Sequence, residues 1–273
     1  MLPYYTLTLQ ERELQMPAVG PLLSEYRKRN RLSQLDLSVL ADVSSRHISF
    51  IETGRSKPSR AMLLRLADVM DLPLQDSNLL LKSGGFAPAY SELEMEGESM
   101  KPVRAALNLI LENHNPYPAL VMDACYNLLM TNQAQQKLMA AGLQNPAKLP
   151  TNNLLIAIFR EDMFRHLIAN WEEVAGHLLR RLRKQVLAFG KPAHQELYEQ
   201  LLTMAPPKNW IQPDHPQDDG PMLTVDFKMG ELTLSMFTTL SQFGTALDIG
   251  MEELLIESYF PADDATRDFF LQA

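Results

Sequence analysis

The sequence predicts an α+β protein in two parts, an all-α N-terminal domain of five helices followed by a domain of mixed strands and helices. Three observations carry this. From about Pro21 to Gly85, apolar residues recur at helical spacing between serine caps and glycine stops. From about Tyr117 onward, short β-branched and aromatic runs are interleaved with longer helical ones. Charge divides along the same line. Pro17 to Tyr90 holds 10 Lys+Arg against 7 Asp+Glu, and Ser91 to the end holds 14 against 24, in a chain of 273 residues with net charge -8. That length fits two domains rather than one. The expected boundaries are 17–86 for the helical domain, 87–100 for a linker and 101–262 for the second domain.

Leu22, Leu23 and Tyr26 share one face of a first helix, from about Pro21 to Asn30. Ser33 caps a second, QLDLSVLA, with Leu37 and Leu40 inward. Asp42 and Val43 make a tight turn, and Ser44 caps a third helix from Ser45 to about Thr53, stopped by Gly54. A fourth spans Arg60 to Met70, with Leu63, Leu64, Ala67 and Met70 apolar, and a short fifth follows Ser77 and ends at Gly84-Gly85. Ala87 to Met100, with Pro88, Gly97 and four glutamates, reads as linker. YPALVMDACYNLLMTN then gives two short strands around a turn, and Gln133 to Ala141 a helix. NNLLIAIFRED, the long run MFRHLIANWEEVAGHLLRRLRKQVLAF, and HQELYEQLLTM read as helices. Three strands follow between Pro221 and Phe260, with turns near Met229-Gly230 and Phe243-Gly244.

Several classes are set aside by what is missing. No apolar run reaches 18 residues, so no membrane span is expected. MLPYYTLTLQERELQ lacks the basic-then-apolar order of a secretory signal, and the single Cys125 forms no internal disulfide, so a cytoplasmic protein is the simple reading. Cys125 has no basic neighbour in sequence, which suits a structural thiol better than a reactive one. The six histidines show no HExxH or Cys/His metal spacing, and there is no glycine-rich phosphate loop or GxSxG, so neither an enzyme nor a cofactor is expected. PDHPQDDGP gathers Asp214, His215, Asp218 and Asp219, which fits a divalent-ion loop or a plain solvated loop.

The second and third helices, joined by a three- or four-residue turn, match the helix-turn-helix plan. Val43, Ile48 and Ile51 have the spacing to point into a small core with Leu37 and Leu40, and Ser38 stands where the helices cross. Asp42 tolerates the positive φ that such a turn often needs. Ser45, Arg46, Ser49 and Phe50 are left on the exposed face of the third helix, with Ser44 at its tip. Arg46 suits the O6/N7 fork of guanine, the serines suit several bases, and Phe50 suits a thymine methyl. Gln34, at a helix N-terminus, and Arg55, Lys57 and Arg60, after the reading helix, are placed for phosphates. The alternative is a solvated face on a protein-binding module.

The stretch LSQLDLSVLADVSSRHISFIETGRSKPSRAMLLRLADVMDL resembles the XRE/Cro-C1 helix-turn-helix family. Ser33, Gln34, Val43, Ser44, Ile48, Ile51, Glu52 and Gly54 stand at that family's marked positions, while Asp42 and Ser38 stand where it often has Gly and Ala. The resemblance covers about Val19 to Leu81. It implies a lambda-repressor-like domain, a double-stranded DNA operator as partner, and a pair between Arg27 and Glu52; a homodimer is the expected assembly.

NPYPALVMDACYNLLMTNQAQQKLMA, NLLIAIF, NWEEVAGHLLRRLRKQV and GELTLSMFTTLS resemble the MmyB-like ligand-binding domain, over roughly Lys101 to Phe260. That resemblance implies a PAS-like α+β fold enclosing an apolar pocket, and for some members a lipid-like or fatty-acid effector. Eleven of the 15 methionines follow Ser91, which suits adaptable packing around a flexible chain or plain core. Tyr117 and Asn132, flanking the first strand pair, are candidates to hold a polar head group, and Arg160 and His166 to counter a carboxylate; solvated or capping roles fit them too. Trp171 fits a ligand wall or a core position. LLRRLRKQV is basic, but Arg180, Arg181, Arg183 and Lys184 spread around a helix, as on a solvated face. A second domain that binds a partner protein and no small ligand is the competing reading.

Overall fold

The computed structural model describes residues 17–91, 95–142, 151–189, 191–211, 222–244, 246 and 248–272. The chain divides into two compact units. One runs to Leu93 and takes in Thr245–Glu252; the other holds Glu94–Gly244 and Glu253–Ala273.

The helical unit contains α1 (Val19–Arg29), α2 (Gln34–Leu40), α3 (Ser45–Glu52), α4 (Arg60–Val69) and α5 (Leu74–Ser83). Three of these begin on serine, whose hydroxyl satisfies an amide that the helix cannot. Ser33 Oγ accepts from Asp36 N at 3.0 Å while Asp36 Oδ2 accepts from Ser33 N at 2.8 Å, a reciprocal cap for α2. Ser44 and Ser59 each accept an amide at 3.2 Å, from His47 and Met62. Leu23, Tyr26, Leu37, Ile48, Ile51, Leu63, Leu66 and Leu80 fill the core. Gly20 lets α1 cross the end of α3: a Cβ there would stand 2.5 Å from the Glu52 carbonyl oxygen. Asp42 takes φ 50° in the turn, and Gly54 takes φ 72° just past α3.

Two expectations fail here. Leu40 is 54% exposed, not inward; Ala41, at 1%, occupies the core position one residue on. The fifth helix begins at Leu74, before Ser77, which is buried inside it. Pro73 stands at its N-cap without a side-chain cap, and Glu252 Oε2 accepts from Leu74 N at 2.9 Å instead. That carboxylate comes from α11 (Ile249–Glu252), a segment far along the chain that packs with the helical unit. Asn78 fastens the chain after α5 through Ala89 N, Tyr90 N and Tyr90 O, and Ser91 Oγ donates to the buried Asp248 at 2.7 Å.

The second unit is a five-stranded antiparallel sheet, ordered β2-β1-β5-β4-β3, with helices on both faces. Its strands are β1 (Ala119–Met122), β2 (Leu128–Thr131), β3 (Val225–Met229), β4 (Leu232–Ser241) and β5 (Leu255–Pro261). Its helices are α6 (Lys101–Asn113), α7 (Gln133–Gly142), α8 (Leu154–Phe159), α9 (Trp171–Phe189), α10 (Pro192–Leu202) and α12 (Asp264–Gln272). Alternation along β1 sends Leu120 and Met122 to the large core with Leu155, Trp171 and Leu179, and Ala119 and Val121 to a smaller one with Leu107 and Leu111 of α6. Two-sided burial explains why β1 is apolar at every position.

The long helix expected from Met163 starts only at Trp171. Arg165–Leu167 make a short 3-10 turn, and Ile168 to Asn170 are drawn out along β3: Ala169 N donates to Asp226 O at 2.7 Å, and Asn170 Nδ2 donates to Thr224 O at 2.8 Å. Long-range pairing here outweighs local helical periodicity. Among the described residues no helix is long and apolar enough to cross a membrane.

Candidate nucleic-acid interface and ligand cavity

A buried ion pair sets the helix-turn-helix geometry. Arg27 of α1 donates from Nε to Glu52 Oε1 at 2.6 Å and from Nη2 to Oε2 at 3.0 Å, and its Nη1 reaches Leu32 O at 2.8 Å. Gln34 Nε2, at the start of α2, donates to the same Glu52 at 2.7 Å. Burial works against the Glu52 carboxylate, but the Arg27 and Gln34 hydrogen bonds outweigh it and hold the group below the usual carboxylate range. One carboxylate at the end of α3 thus gathers the starts of α1's last turn and α2. One amide hydrogen of Gln34 is committed in this way.

Ile48 and Ile51 are fully buried, so the opposite side of α3 faces outward. Ser44, Ser45 and Arg46 are exposed there, Ser49 and Phe50 half-buried. Arg55, Lys57 and Arg60 are exposed in the loop and at the start of α4. Arg46 and Arg55 lie over the Phe50 ring at 5.1 and 6.0 Å from its centroid. This strip offers serine hydroxyls for bases, one arginine at helix height, and flanking cations for phosphates.

In the sheet unit a cavity of about 280 Å³ opens between α7, the end of β3 and α12. Leu138, Met229, Phe269 and Phe270 make it apolar; Asn115, Gln133 and Lys137 bring polar groups to it. Such a lining suits a small apolar ligand with one polar end. The five residues singled out from sequence do not converge on it. Tyr117 comes nearest, with its ring 5.9 Å from that of Phe270. Asn132 is buried and fully committed: Oδ1 accepts from Ala119 N and Gln135 N, and Nδ2 donates to Leu111 O and Tyr117 O. Arg160 pairs with Asp162 at 2.6 Å, and His166 Nδ1 lies 2.9 Å from Glu161 O. Trp171 donates from Nε1 to Ile158 O at 2.9 Å and meets Phe159 edge-on inside the core. The cavity's own signals were an apolar pair, Phe269-Phe270, and the spacing 133, 134, 137, 138, which makes one helical face.

Of the basic run in α9, Arg180 is spent on Trp210 O at 3.0 Å and Arg181 lies over the Tyr126 ring. Near Arg181, burial pushes the Glu257 carboxyl up to about 7, opposed by Arg181 and by hydrogen bonds from Thr238 and Tyr259. Burial, then Asp123 and Glu253, push the Cys125 thiol up, so it is no activated nucleophile. The Asp214–Asp219 loop lies outside the described residues. Among the described residues no group of three or more His, Cys, Asp or Glu is placed to hold a metal ion.

Fold and site together define a helix-turn-helix head joined to a ligand-binding sheet domain. The helix-turn-helix family matches residues 23–77, and the family of the MmyB-like transcription regulator ligand binding domain matches residues 103–272. The chain belongs to the MmyB-like transcription regulators. Both families are regulatory modules rather than enzymes. No curated protein matches the chain. Among solved structures, it aligns with one titled as an RNA-binding Light-Oxygen-Voltage receptor, at 12% identity and TM-score 0.28, over 93% of this chain and 62% of that one.

Proposed function

We propose that the protein binds a roughly palindromic DNA operator as a homodimer and answers to a small apolar effector, fatty-acid-like in shape, held in a PAS-like second domain. The observation that carries the DNA half is the exposed strip of α3 with its following cations, in a chain that is otherwise acidic. Two such helices would enter successive major grooves about 34 Å apart. If each subunit neutralises roughly four phosphates, the log-log salt slope is about -7 for the dimer. The cavity of about 280 Å³ supports an effector over a purely protein-binding second domain.

Selection of duplexes from a random pool tests the DNA reading, and enrichment of a two-fold symmetric site is the expected outcome. Mass spectrometry of denatured, purified protein tests the effector. A co-purified apolar acid or alcohol supports it; a ligand-free protein that instead captures a partner protein through the second domain overturns it.

A further inference from the structure

Phe50 has a place in α3 that its expected contact with a thymine methyl does not explain. Its ring carries two guanidiniums at once, Arg46 at 5.1 Å and Arg55 at 6.0 Å. The first arrives by helical spacing, four residues back on the same face. The second is brought by the backbone. After Gly54 turns the chain at φ 72°, the amides of Arg55 and Ser56 both donate to the Phe50 carbonyl, at 2.8 and 3.1 Å. The Thr53 hydroxyl closes the same corner on Ser49 O at 2.7 Å. One residue therefore organises the reading helix and the loop after it, through its carbonyl and its ring.

An aromatic face holds a guanidinium in a particular way. A carboxylate partner would occupy the N–H edge that grips guanine or phosphate; a ring attracts the charge and leaves that edge unspent. Among the described residues neither Arg46 nor Arg55 is ion-paired. We infer that Phe50 is a positioning residue for DNA recognition, a platform that pre-orders Arg46 for a base and Arg55 for the adjacent phosphate. This rests on the DNA reading above. Ordering two long side chains in advance removes part of the entropy lost on binding.

The test uses the full-length protein, the duplex enriched by the wild type, and a scrambled duplex of equal length. Phe50→Leu keeps an apolar side chain but no π-face. It is expected to reduce the ratio of the two affinities roughly twofold to thirtyfold, the range for cation–π contacts from exposed to desolvated. The salt slope stays the same because no charge is lost. Phe50→Tyr restores the ratio. In Arg46→Ala the Phe50→Leu change has a much smaller effect, since one of the two cations it positions is gone. A cooperative thermal transition above the assay temperature confirms that each variant is folded. Replacing thymines by deoxyuridine tests a direct methyl contact: on that contact the change would weaken wild type and spare Phe50→Leu. The inference is overturned if Phe50→Leu keeps the wild-type ratio, or if deoxyuridine reproduces its loss. If the wild type enriches no duplex at all, the DNA reading itself falls, and this inference with it.

Discussion

In the helical unit, Arg46 and Arg55 sit exposed over one phenyl ring; in the sheet unit, Arg165 and Arg180 give their N–H groups to backbone carbonyls of Met204 and Trp210. Arg165 also lies over the Trp171 ring at 3.8 Å. Aromatic rings hold arginines in both places, yet among the described residues Arg46 and Arg55 keep their hydrogen-bonding edges while Arg165 and Arg180 have spent theirs. A count of basic residues cannot tell these apart. LLRRLRKQV is richer in charge than SSRHISF, and much of that charge is used inside its own domain. The difference lies in what the neighbouring backbone has already satisfied. Loop carbonyls beside α9 need donors, whereas the end of α3 is closed by Thr53, Arg55 and Ser56.

The largest expected effect concerns the buried pair beneath the reading helix. Arg27→Met should cost the helical unit about 3–5 kcal/mol, because Glu52 is left charged and enclosed. Adding Glu52→Leu should recover much of the loss, as read from the urea midpoint. Equal destabilisation by single and double variants would show that packing, not charge, ties α1 to α3.

Next comes the contrast between the two arginine sets. Arg46→Ala should lower discrimination between operator and scrambled duplex by about 1–3 kcal/mol, and Lys57→Ala should weaken both alike and reduce the dimer's salt slope by about 2, one lysine being lost from each subunit. Arg183→Ala, on the exposed face of α9, should leave DNA affinity unchanged. A specific loss there would make α9 a second contact.

The sheet unit should show its own pH signature. Glu257 titrates near 7 when folded against 4.5 as a free side chain, so the folded state alone holds the proton between those values. Stability of that unit therefore falls as pH rises from about 4.5 to 7 and is level above. Glu257→Gln should remove this slope and stabilise the unit at pH 8 by about 1–3 kcal/mol, less than full burial would give because the side chain keeps partial solvent contact. A slope unchanged by the substitution would assign it elsewhere.

The smallest effect is at α5. Glu252→Ala removes the acceptor that Pro73 cannot supply and should cost the helical unit about 0.5–2 kcal/mol, the size of a lost N-cap. Amide exchange at Leu74 should rise with it.

Legibility followed the range of the interactions. The caps at Ser33 and Ser44, the stop at Gly54 and the strand pair around Cys125 act within a few residues, and all were readable in order. Leu40 was misread because helical spacing places it equally well inward or outward until Ala41 takes the core position. The run before Trp171 was misread because its partner, β3, lies more than fifty residues away. The cavity beside α7 was hardest. Gln133 and Lys137 look like solvated helix positions until α12, at the far end of the chain, supplies Phe269 and Phe270 opposite them.

Sequence alone determined the helix-turn-helix, the buried side of its third helix, and the separation of a basic head from an acidic remainder, because period, capping and net charge are local or additive quantities. Only the tertiary structure decided which arginines remain available, that Glu252 caps a helix 178 residues away, and where a cavity opens. Those depend on which polar groups meet when distant segments pack, and burial makes each such meeting binding on the groups involved.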